Sequence, residues 1–382
     1  MHAGMTRILD TMKIDIIHAT AGEGHRKIAM AVQDGLARLR RNDLQVRLMN
    51  CLDYTDAQFQ KSYAPIYYWS VRHAPNLWGW SYEVLDLAWI YQPLRPLRAL
   101  TNNMHAKALL EDIVKNQPDV IVSTHFLPPE ILGRAKQKGL IKSKMITVIT
   151  DFYPHTFWVN PGTDHYWVMA EETKQDLVGR GVPAAMITAG GIPVVPTFKP
   201  SGRKMEILKK YGLEEGRFTI LLTSGSFGLG PQEAILEELK AFKDRVQCFV
   251  VCANNKELKG ILESKAYPYP VKIFGFIDFM PDLMEASDLM VAKSGGSTTS
   301  EALTKGVVMV VMEPIPGQET RNVKLLKLRD AAYFLKDPKE IHAIVKGILE
   351  NPANLQKKRD AIRNLAKPDA SDDLVKLILA GK

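Results

Sequence analysis

The sequence predicts an α/β protein built from two doubly wound parallel-sheet domains that face each other across a cleft. Short apolar runs typical of buried parallel strands alternate with helical periodicity along the chain. A proline-rich stretch without apolar periodicity, residues 193–203, separates two such series and is typical of an interdomain linker. We therefore predict an N-terminal domain at residues 1–197 and a C-terminal domain at 203–364. A helix at about 365–382 is expected to pack back on the first domain.

The individual strands follow from the apolar runs. In the first half we predict strands at residues 13–19, 46–49, 120–124, 145–150, 166–169 and 185–189. The helix after the first strand carries one apolar stripe of Ile28, Val32, Leu36 and Leu39. In the second half the predicted strands are residues 218–223, 247–252, 271–274, 289–292 and 307–312. The tail, residues 354–379, is predicted to be helical with a break at Pro368.

Composition and charge restrict the functional class. Hydrophobic residues make up 46% and charged residues 24%, and the three cysteines have no metal-ligand spacing, which predicts a soluble protein of a reducing compartment. No apolar stretch approaches the roughly 20 residues of a transmembrane helix, and no secretory signal is recognised, so we expect neither spanning nor export. The net charge of +8 favours an anionic membrane surface or a nucleic acid as partner. Because the basic residues are scattered and form no nucleic-acid motif, we expect no nucleic acid.

The segment KSGGSTTSEA is the most informative motif of the second half. It follows a predicted strand and opens a helix, so Gly295 and Gly296 allow an anion to approach the N–H groups of a helix N-terminus. Ser297 and Thr298 add hydroxyl donors, and Glu301 is placed to accept hydrogen bonds from ribose hydroxyls. The motif therefore predicts a nucleotide site, with a plain Ser/Thr helix cap as the alternative.

The segment EPIPGQETRN also leaves a strand and enters a helix. Ligands in open α/β sheets bind beyond the carboxyl ends of the strands. Gln318, Glu319 and Asn322 combine donors and acceptors that suit a polyhydroxylated sugar. The segment thus predicts a sugar site, with a proline-rich turn of solvated side chains as the alternative.

Two further strand ends of the second half carry weaker signals. Gly225 and Ser226 belong to a glycine-rich turn that allows close approach of a diphosphate or sugar. Phe276 and Ile277 follow another strand, where a ring and exposed backbone suit a uracil base. A lone glycine turn and simple core packing are the respective alternatives.

Two candidate catalytic residues follow strands of the first half. The loop AGEGH contains Gly22 and Gly24 and places His25 at the start of a helix, which disfavours the imidazolium ion and leaves a neutral ring able to accept a proton. Asp151 begins the loop after the predicted strand at residues 145–150. A helix cap and a turn aspartate are the alternatives.

Aromatic residues are concentrated between residues 63 and 91, where four of the six tryptophans lie. The candidates for acceptor or membrane contact in and after this segment are Trp69, Trp78, Trp80, Trp89, Arg95 and Arg98. Tryptophan favours the bilayer interface, and arginine adds about 1 kcal/mol near an anionic leaflet. The segment predicts a membrane-docking surface, with a helical subdomain whose rings are buried as the alternative.

These motifs together resemble a known family. The run TDFYPHTFWVNPGTDHYWVMAEETK, which begins at Thr150, is similar to the monogalactosyldiacylglycerol synthases and to the bacterial processive diacylglycerol glucosyltransferases. KSGGSTTSEAL and PIPGQETRN resemble the donor-site motifs of that family and of the related transferase that forms lipid II, and AGEGH resembles its acceptor loop. The resemblance covers nearly the whole chain and implies a GT-B fold, in which two Rossmann-like domains face a cleft.

The resemblance also implies a reaction and the residues that serve it. It implies inverting transfer of a hexose from UDP-glucose or UDP-galactose to diacylglycerol, with no metal and no other cofactor. By position, the UDP would contact Ser297, Thr298 and Glu301, and the donor sugar would contact Gln318 and Glu319. Whether His25 or Asp151 activates the acceptor stays open. Glu23 departs from the family loop, and an acid beside His25 is expected to raise the histidine pKa or tune the acceptor site.

The expected partners are a UDP-sugar, diacylglycerol and an anionic membrane surface, and the expected location is the cytoplasmic, inner face of the cell membrane. A close alternative is transfer to an isoprenoid-linked cell-wall precursor. A UDP-sugar isomerase or hydrolase and a non-catalytic UDP-sugar sensor are alternatives of other classes.

Overall fold

The computed structural model describes residues 11–20, 22–223, 225, 230–312, 314 and 316–380. Within these ranges the strands form two parallel sheets of six strands each. Strands β1 to β6 are Met12–His18, Leu44–Asn50, Val120–Ser123, Lys144–Val148, His165–Val168 and Ile187–Ala189. Strands β7 to β12 are Phe218–Thr223, Val246–Val251, Val271–Phe274, Leu289–Ala292, Val308–Val311 and Ala332–Phe334.

Most of the helices lie in the connections between the strands, because parallel neighbours cannot be joined by a tight turn, and the last three follow β12. Helices α1 to α7 are Glu23–Ala37, Ala57–His73, Pro75–Asp86, Ala88–His105, Lys107–Asn116, Leu127–Gln137 and Glu171–Gly179. Helices α8 to α12 are Lys204–Lys210, Gln232–Leu239, Lys256–Glu263, Met280–Ala286 and Gly296–Lys305. Helices α13 to α16 are Gln318–Leu328, Glu340–Glu350, Ala353–Leu365 and Ala370–Leu379.

The first sheet has the strand order β2-β1-β3-β4-β5-β6. Both of its faces are covered. Ile14 and Ile16 of β1 pack into the core that includes α1, while Ile17 packs into the core on the opposite face. Strands buried on both faces are apolar on both faces, which is why they are recognisable as continuous apolar runs. The order reverses between β1 and β3, so the loops after these two strands open a crevice at that point.

The second sheet repeats this plan with the order β12-β11-β10-β7-β8-β9. Its reversal lies between β7 and β10, and α12 leaves the sheet there, directly after β10. The sequence did not predict β12. Of its three residues, Tyr333 and Phe334 are half-buried, so the strand has no continuous apolar run.

The chain returns to the first half at its end. Helix α16 packs against α1, where the Ser371 hydroxyl donates a hydrogen bond of 2.8 Å to the carbonyl oxygen of Ala31. Arg38, which directly follows α1, forms an ion pair with Asp372 at 2.8 Å. The last helix therefore packs the end of the chain against α1 of the first half.

The predicted fold class is confirmed, and each predicted strand is present with its ends shifted by at most two residues. The stripe on α1 is confirmed for Ile28, Val32 and Leu36, which are buried, but wrong for Leu39, which lies beyond the helix and is exposed. The break in the tail falls between α15 and α16, around Pro368. In the part of the chain that the structure describes, no helix is long and apolar enough to cross a bilayer.

Candidate active site

A cavity of about 220 Å³ lies where the carboxyl ends of the two sheets face each other. The loop after β1, the end of β4, the N-terminus of α12 and the segment before α13 all contribute to its wall. Of the residues predicted from the sequence, the cavity brings together Gly22, Gly24, His25, Trp78, Asp151, Gly295, Gly296, Ser297, Gln318, Glu319 and Asn322. Motifs nearly 300 positions apart in the chain therefore share one site.

His25 is held in one tautomer by two neighbouring strand ends. Its Nδ1 lies 2.8 Å from the carbonyl oxygen of Thr124, after β3, and 3.2 Å from the hydroxyl of Thr150, after β4. Because a carbonyl oxygen only accepts, Nδ1 carries the proton and Nε2 has the lone pair. Burial lowers the pKa of His25 to about 4, so the ring is neutral at physiological pH. Nε2 of His25 can therefore accept a proton.

Asp151 is a second candidate base in the same cavity. It is buried in the loop that follows β4, three residues beyond Val148, and accepts a hydrogen bond of 2.8 Å from the indole N–H of Trp158. Burial raises the pKa of Asp151 to about 6, although the Trp158 hydrogen bond and the Arg321 charge act in the opposite direction. The carboxyl group thus titrates near the pH range in which a general base works best.

Two neighbours of His25 were not described correctly by the sequence. Glu23 pairs with Arg26 at 3.1 Å, and the pKa of His25 is lowered, so the expected rise of this pKa is wrong, whereas an effect of Glu23 on the acceptor site stays a prediction. His125, which the sequence analysis missed, lies edge-on to His25 with ring centroids 4.6 Å apart. Its Nδ1 accepts the N–H of Leu127 at 3.1 Å, and burial lowers its pKa well below the usual range. His125 directly follows the predicted strand at residues 120–124, and this position could have identified it as a candidate site residue.

The predicted donor-side carboxylate, Glu301, is buried near the middle of α12 and does not itself line the cavity. Glu301 is one of the least exposed acidic residues, and its Oε1 accepts a hydrogen bond of 3.1 Å from the Ser297 hydroxyl. The same oxygen lies 3.3 Å from Nζ of Lys27, which belongs to α1 in the other half. Burial raises the pKa of Glu301, although the charge of Lys27 opposes this. The ion pair therefore joins α1 of the first half to α12 of the second half.

The first turn of α12 touches the end of β4 backbone to backbone. A Cβ atom at Gly296 would lie 2.1 Å from the carbonyl oxygen of Thr150, whereas a Cβ at Gly295 would meet open space. A glycine at position 296 therefore permits this approach, because any other side chain would push the two halves apart.

The segment before α13 is held by contacts with the first half. Gln318 receives a hydrogen bond of 3.4 Å from the Tyr67 hydroxyl of α2. Asn322 bridges the halves, because its Oδ1 accepts the N–H of Phe152 at 2.8 Å and its Nδ2 donates to the carbonyl oxygen of Ser294 at 2.7 Å. The predicted sugar contact of Asn322 stays a prediction, and the structure adds this bridging role.

Helix α3 packs directly on the same segment. A Cβ at Gly79 would lie 2.3 Å from Cβ of Pro316, and a Cβ at Gly317, whose φ is +102°, would lie 3.3 Å from the Tyr82 ring. Trp78 lines the cavity with a half-buried side chain rather than facing solvent. One face of α3 therefore forms part of the site.

Four charged residues form ion pairs that connect α3 to α13, and we call them the Arg321 cluster. They are Glu83 and Asp86 of α3, Arg180 and Arg321. Arg321 donates to both carboxylates at 2.9 Å, and Arg180 donates to the two oxygens of Asp86 at 2.7 and 3.0 Å. Burial acts to raise the pKa of Asp86, but the Arg180 hydrogen bonds and the Arg321 charge outweigh it and hold the pKa at about 2. No pattern in the sequence indicated this cluster, because its members come from three separate segments.

An exposed apolar surface covers the outside of α2, α3 and α4, and we call it the apolar patch. It consists of Ile66, Trp69, Leu77, Trp80, Leu87, Trp89, Leu94, Leu97, Leu100 and Met104. The three tryptophans are 63%, 65% and 74% exposed, which is unusual for so large an apolar side chain in a soluble protein. An apolar surface of this extent is typical of a contact with a membrane or another protein.

The two arginines that were predicted to contact anionic lipid are directed into the protein. Arg98 forms an ion pair with the buried Glu130 at 3.0 Å and lies 3.7 Å from the centroid of the Phe157 ring. Arg95 donates a hydrogen bond of 3.0 Å to the carbonyl oxygen of Val159. Their predicted place at a membrane surface is therefore corrected, because their guanidinium groups have partners inside the first half.

The remaining predicted donor-site residues either do not line the cavity or lie outside the residues that the structure describes. Thr298 is half-buried in the first turn of α12, and Ile277 packs partly on the core of the second half. Phe276 has a ring that is 74% exposed, and Gly225 has a φ of +70°. Ser226 lies outside the described residues. No cluster of His, Cys, Asp and Glu suited to a metal ion occurs within the described ranges.

Two doubly wound domains with a cleft between their strand ends define the GT-B class of fold. Comparison with known proteins agrees. Residues 25–194 match the monogalactosyldiacylglycerol (MGDG) synthase family model, and residues 219–374 match the glycosyltransferase family 28 C-terminal domain. The two halves of the chain therefore match two glycosyltransferase domain families, which confirms the resemblance found in the sequence and the prediction that the protein is an enzyme.

Curated relatives extend the match across both domains. The chain is 29% identical over 283 residues to a processive diacylglycerol beta-glucosyltransferase of Bacillus cereus (strain AH820), covering 73% of this chain and 72% of the relative. It is 29% identical over 282 residues to the protein of the same name from Bacillus thuringiensis (strain Al Hakam), covering 72% and 71%.

Solved structures share the fold over almost the full chain. MurG of Acinetobacter baumannii superimposes with a TM-score of 0.63 at 16% identity, covering 97% of this chain and 99% of that one. The UDP-GlcNAc 2-epimerase of Neisseria meningitidis, solved with UDP-GlcNAc, gives 0.62 at 13% identity, covering 97% and 100%. Anabaena HepE in complex with UDP-glucose gives 0.54 at 15% identity, again covering 97% and 100%. Identities this low establish the fold alone.

We expect Arg321→Met to destabilise the protein by roughly 3 kcal/mol, because it leaves the half-buried Asp86 with one cation fewer and removes the ion pairs between α3 and α13. The measurement is the free energy of unfolding in urea. The control is Arg329→Met, which removes an exposed arginine paired with Glu172 at the end of the same helix and should cost less than about 1 kcal/mol. Equal effects of the two substitutions would contradict the importance of the Arg321 cluster.

Proposed function

We propose that the protein transfers a hexose from UDP-glucose or UDP-galactose to diacylglycerol at a membrane surface, with inversion at the anomeric carbon. The observation that carries this proposal is the neutral His25, fixed with its proton on Nδ1, in one cavity with Asp151 and the N-terminus of α12. A proton acceptor from one half thus faces an anion-binding helix end from the other. The names of the curated relatives support the hexose and the lipid acceptor.

The donor is proposed to bind on the second half. The first-turn N–H groups of α12 and the Ser297 hydroxyl suit the diphosphate, because a helix N-terminus favours negative charge. Glu301 suits the ribose hydroxyls, and Gln318 and Glu319 suit the hydroxyls of the sugar. We propose that this helix end stabilises the leaving UDP without a metal, so transfer should persist in excess EDTA.

The acceptor is proposed to be activated from the first half. As the acceptor oxygen bonds to the anomeric carbon, the bond from that carbon to the β-phosphate oxygen breaks, and its electron pair leaves with UDP. The acceptor proton passes to His25 or Asp151. Attack from the face opposite the leaving group produces inversion. Because the two halves already touch at Gly296, the site excludes much of the water that would otherwise hydrolyse the donor.

The apolar patch is proposed to dock the protein on the cytoplasmic face of the membrane. Exposed tryptophans favour the bilayer interface, and the net charge of +8 favours an anionic leaflet. Helix α3 carries Trp80 of the patch and also lines the cavity through Trp78. A lipid acceptor entering beside α3 would thus reach the site without leaving the membrane surface.

The direct test supplies radiolabelled UDP-glucose and UDP-galactose separately, with and without diacylglycerol vesicles. We expect label in the organic phase with one donor and only when diacylglycerol is present. Free sugar released without lipid would support a hydrolase instead, and an altered nucleotide sugar would support an isomerase. Label on an isoprenoid-linked precursor but not on diacylglycerol would mean that the acceptor is this precursor instead of diacylglycerol. UDP binding without any turnover would support a sensor.

The pH dependence of transfer should depend on Asp151. The active form is the carboxylate, which exists above the pKa of about 6, so kcat/KM should fall about tenfold per pH unit below pH 6. His25→Gln is expected to lower the rate and to keep this fall in kcat/KM below pH 6. A fall that begins only near pH 4, the pKa of His25, would instead show that an ionised Asp151 is not required.

Replacement of Trp80 and Trp89 by serine should weaken binding to vesicles that contain phosphatidylglycerol by at least about tenfold, since each indole contributes roughly 1.5–3 kcal/mol when fully buried. Co-sedimentation measures this binding. Leu328→Ser is the matched control, because Leu328 is 63% exposed but lies on α13, away from the patch. Unchanged co-sedimentation of the double variant would argue against docking through this surface.

A further inference from the structure

A lysine of the first half reaches into the proposed donor site. Lys27 lies on α1, two residues after His25, and its Nζ is 3.3 Å from Oε1 of Glu301. The lysine side chain is 49% exposed, whereas that of Glu301 is 5% exposed. The ammonium group therefore lies between solvent and the buried carboxylate.

The ammonium group is also close to the first turn of α12. Helical side chains lean toward the N-terminus of their helix, which is why the Glu301 carboxylate reaches back to the hydroxyl of Ser297 at 3.1 Å. Lys27 contacts this same carboxylate oxygen. The cation and the Ser297 hydroxyl thus contact the same carboxylate oxygen, which lies between Lys27 and the first turn that is proposed to bind the diphosphate.

The ion pair with Lys27 compensates the buried negative charge of Glu301. A buried carboxylate without a partner is strongly unfavourable, and Lys27 supplies the compensating charge in the absence of nucleotide. Ribose hydroxyls that donate to Glu301 would take over part of this compensation. A flexible, half-exposed lysine can then move a short distance toward phosphate oxygens that carry at least two negative charges.

We propose that Lys27 is a diphosphate-binding residue contributed by the opposite half, which pairs with Glu301 in the empty site and with phosphate oxygens once the donor is bound. This inference rests on the proposed function. During transfer the ammonium stays protonated, and it stabilises the negative charge that forms on the β-phosphate oxygen when the bond to the anomeric carbon breaks. The same turn of α1 then presents both the proton acceptor, His25, and a cation for the leaving group.

The arrangement makes donor binding depend on the approach of the two halves. Gly24, on the same turn, lies opposite Ser297, and a Cβ at Gly24 would be 3.7 Å from Cβ of Ser297. Lys27 can contact the phosphates only while this approach is maintained. Phosphate binding therefore favours the closed arrangement in which His25 faces the acceptor.

The test is calorimetric binding of UDP and of uridine, which lacks the phosphates, to the full-length wild type, Lys27→Met and Lys27→Arg. Loss of a charge-assisted bond to phosphate should weaken UDP binding to Lys27→Met about tenfold or more, while uridine binding changes less than about twofold. Lys27→Arg should keep UDP binding within about threefold of the wild type, because it retains the charge.

Arg26→Met is the matched control, since it removes a positive charge from the neighbouring position, where Arg26 pairs with Glu23 on the surface. Its UDP affinity should stay within about twofold. Unchanged UDP binding by Lys27→Met would overturn the inference. So would an equal loss of UDP and uridine binding, which would mean that Lys27 merely positions Glu301. A wild type that binds no UDP would overturn the proposed donor as well, and this outcome is distinct from the other two.

Discussion

The rest of the site depends on the contact between the first turn of α12 and the end of β4. At Gly296 the absence of a side chain lets the helix approach the carbonyl oxygen of Thr150, where an added Cβ would be only 2.1 Å away. The Thr150 hydroxyl lies 3.2 Å from the His25 ring, and Asp151 is the next residue. One backbone contact therefore sets the distance between an anion-binding helix end and both candidate bases. A glycosyl transfer needs this distance to be defined within a fraction of an ångström.

The site contains ionisable groups whose charged forms are disfavoured by burial. The pKa of His25 is lowered to about 4, that of Asp151 is raised to about 6, and that of Glu301 is raised. Each shift reports a cost of keeping the charged form in the folded protein. Such a cost is useful in an enzyme, because a neutral imidazole accepts a proton and a poorly solvated carboxylate is a stronger base. The large apolar cores of both halves supply the stability against which these costs are set.

Helix α3 connects the outside of the molecule to the cavity. Leu77 and Trp80 are exposed to solvent, whereas Tyr82 is buried against the segment that precedes α13. Asp86 fixes the end of the same helix through Arg321. Any surface that binds the exposed face of α3 therefore acts on an element that shapes the donor-sugar side of the cavity. Trp80 of the apolar patch and Trp78 of the cavity wall therefore belong to the same helix.

Much of the fold follows from local patterns. Strands of a doubly wound sheet are buried on both faces, so they appear as apolar runs, and all of the predicted strands exist. The strand β12 was missed because its residues are half-buried. The candidate site was also predictable in outline, because each motif follows a parallel strand and the carboxyl ends of such strands share one edge. His25 and Asp151 do line one cavity together with Gly295, Gly296 and Ser297 of the KSGGST segment.

The sequence by itself thus determined the two sheets, the edge on which the site lies and the class of ligand that its motifs suit. The tertiary structure decided which side chains line the cavity and which are engaged in contacts elsewhere. It directs Arg98 into the protein toward Glu130, turns Trp78 into the cavity, engages Asn322 as a bridge between the halves and joins Lys27 to Glu301. The physical reason is that strand and helix patterns depend on neighbours three or four positions away, whereas a partner for a buried charge is supplied by packing between segments that are up to 274 positions apart.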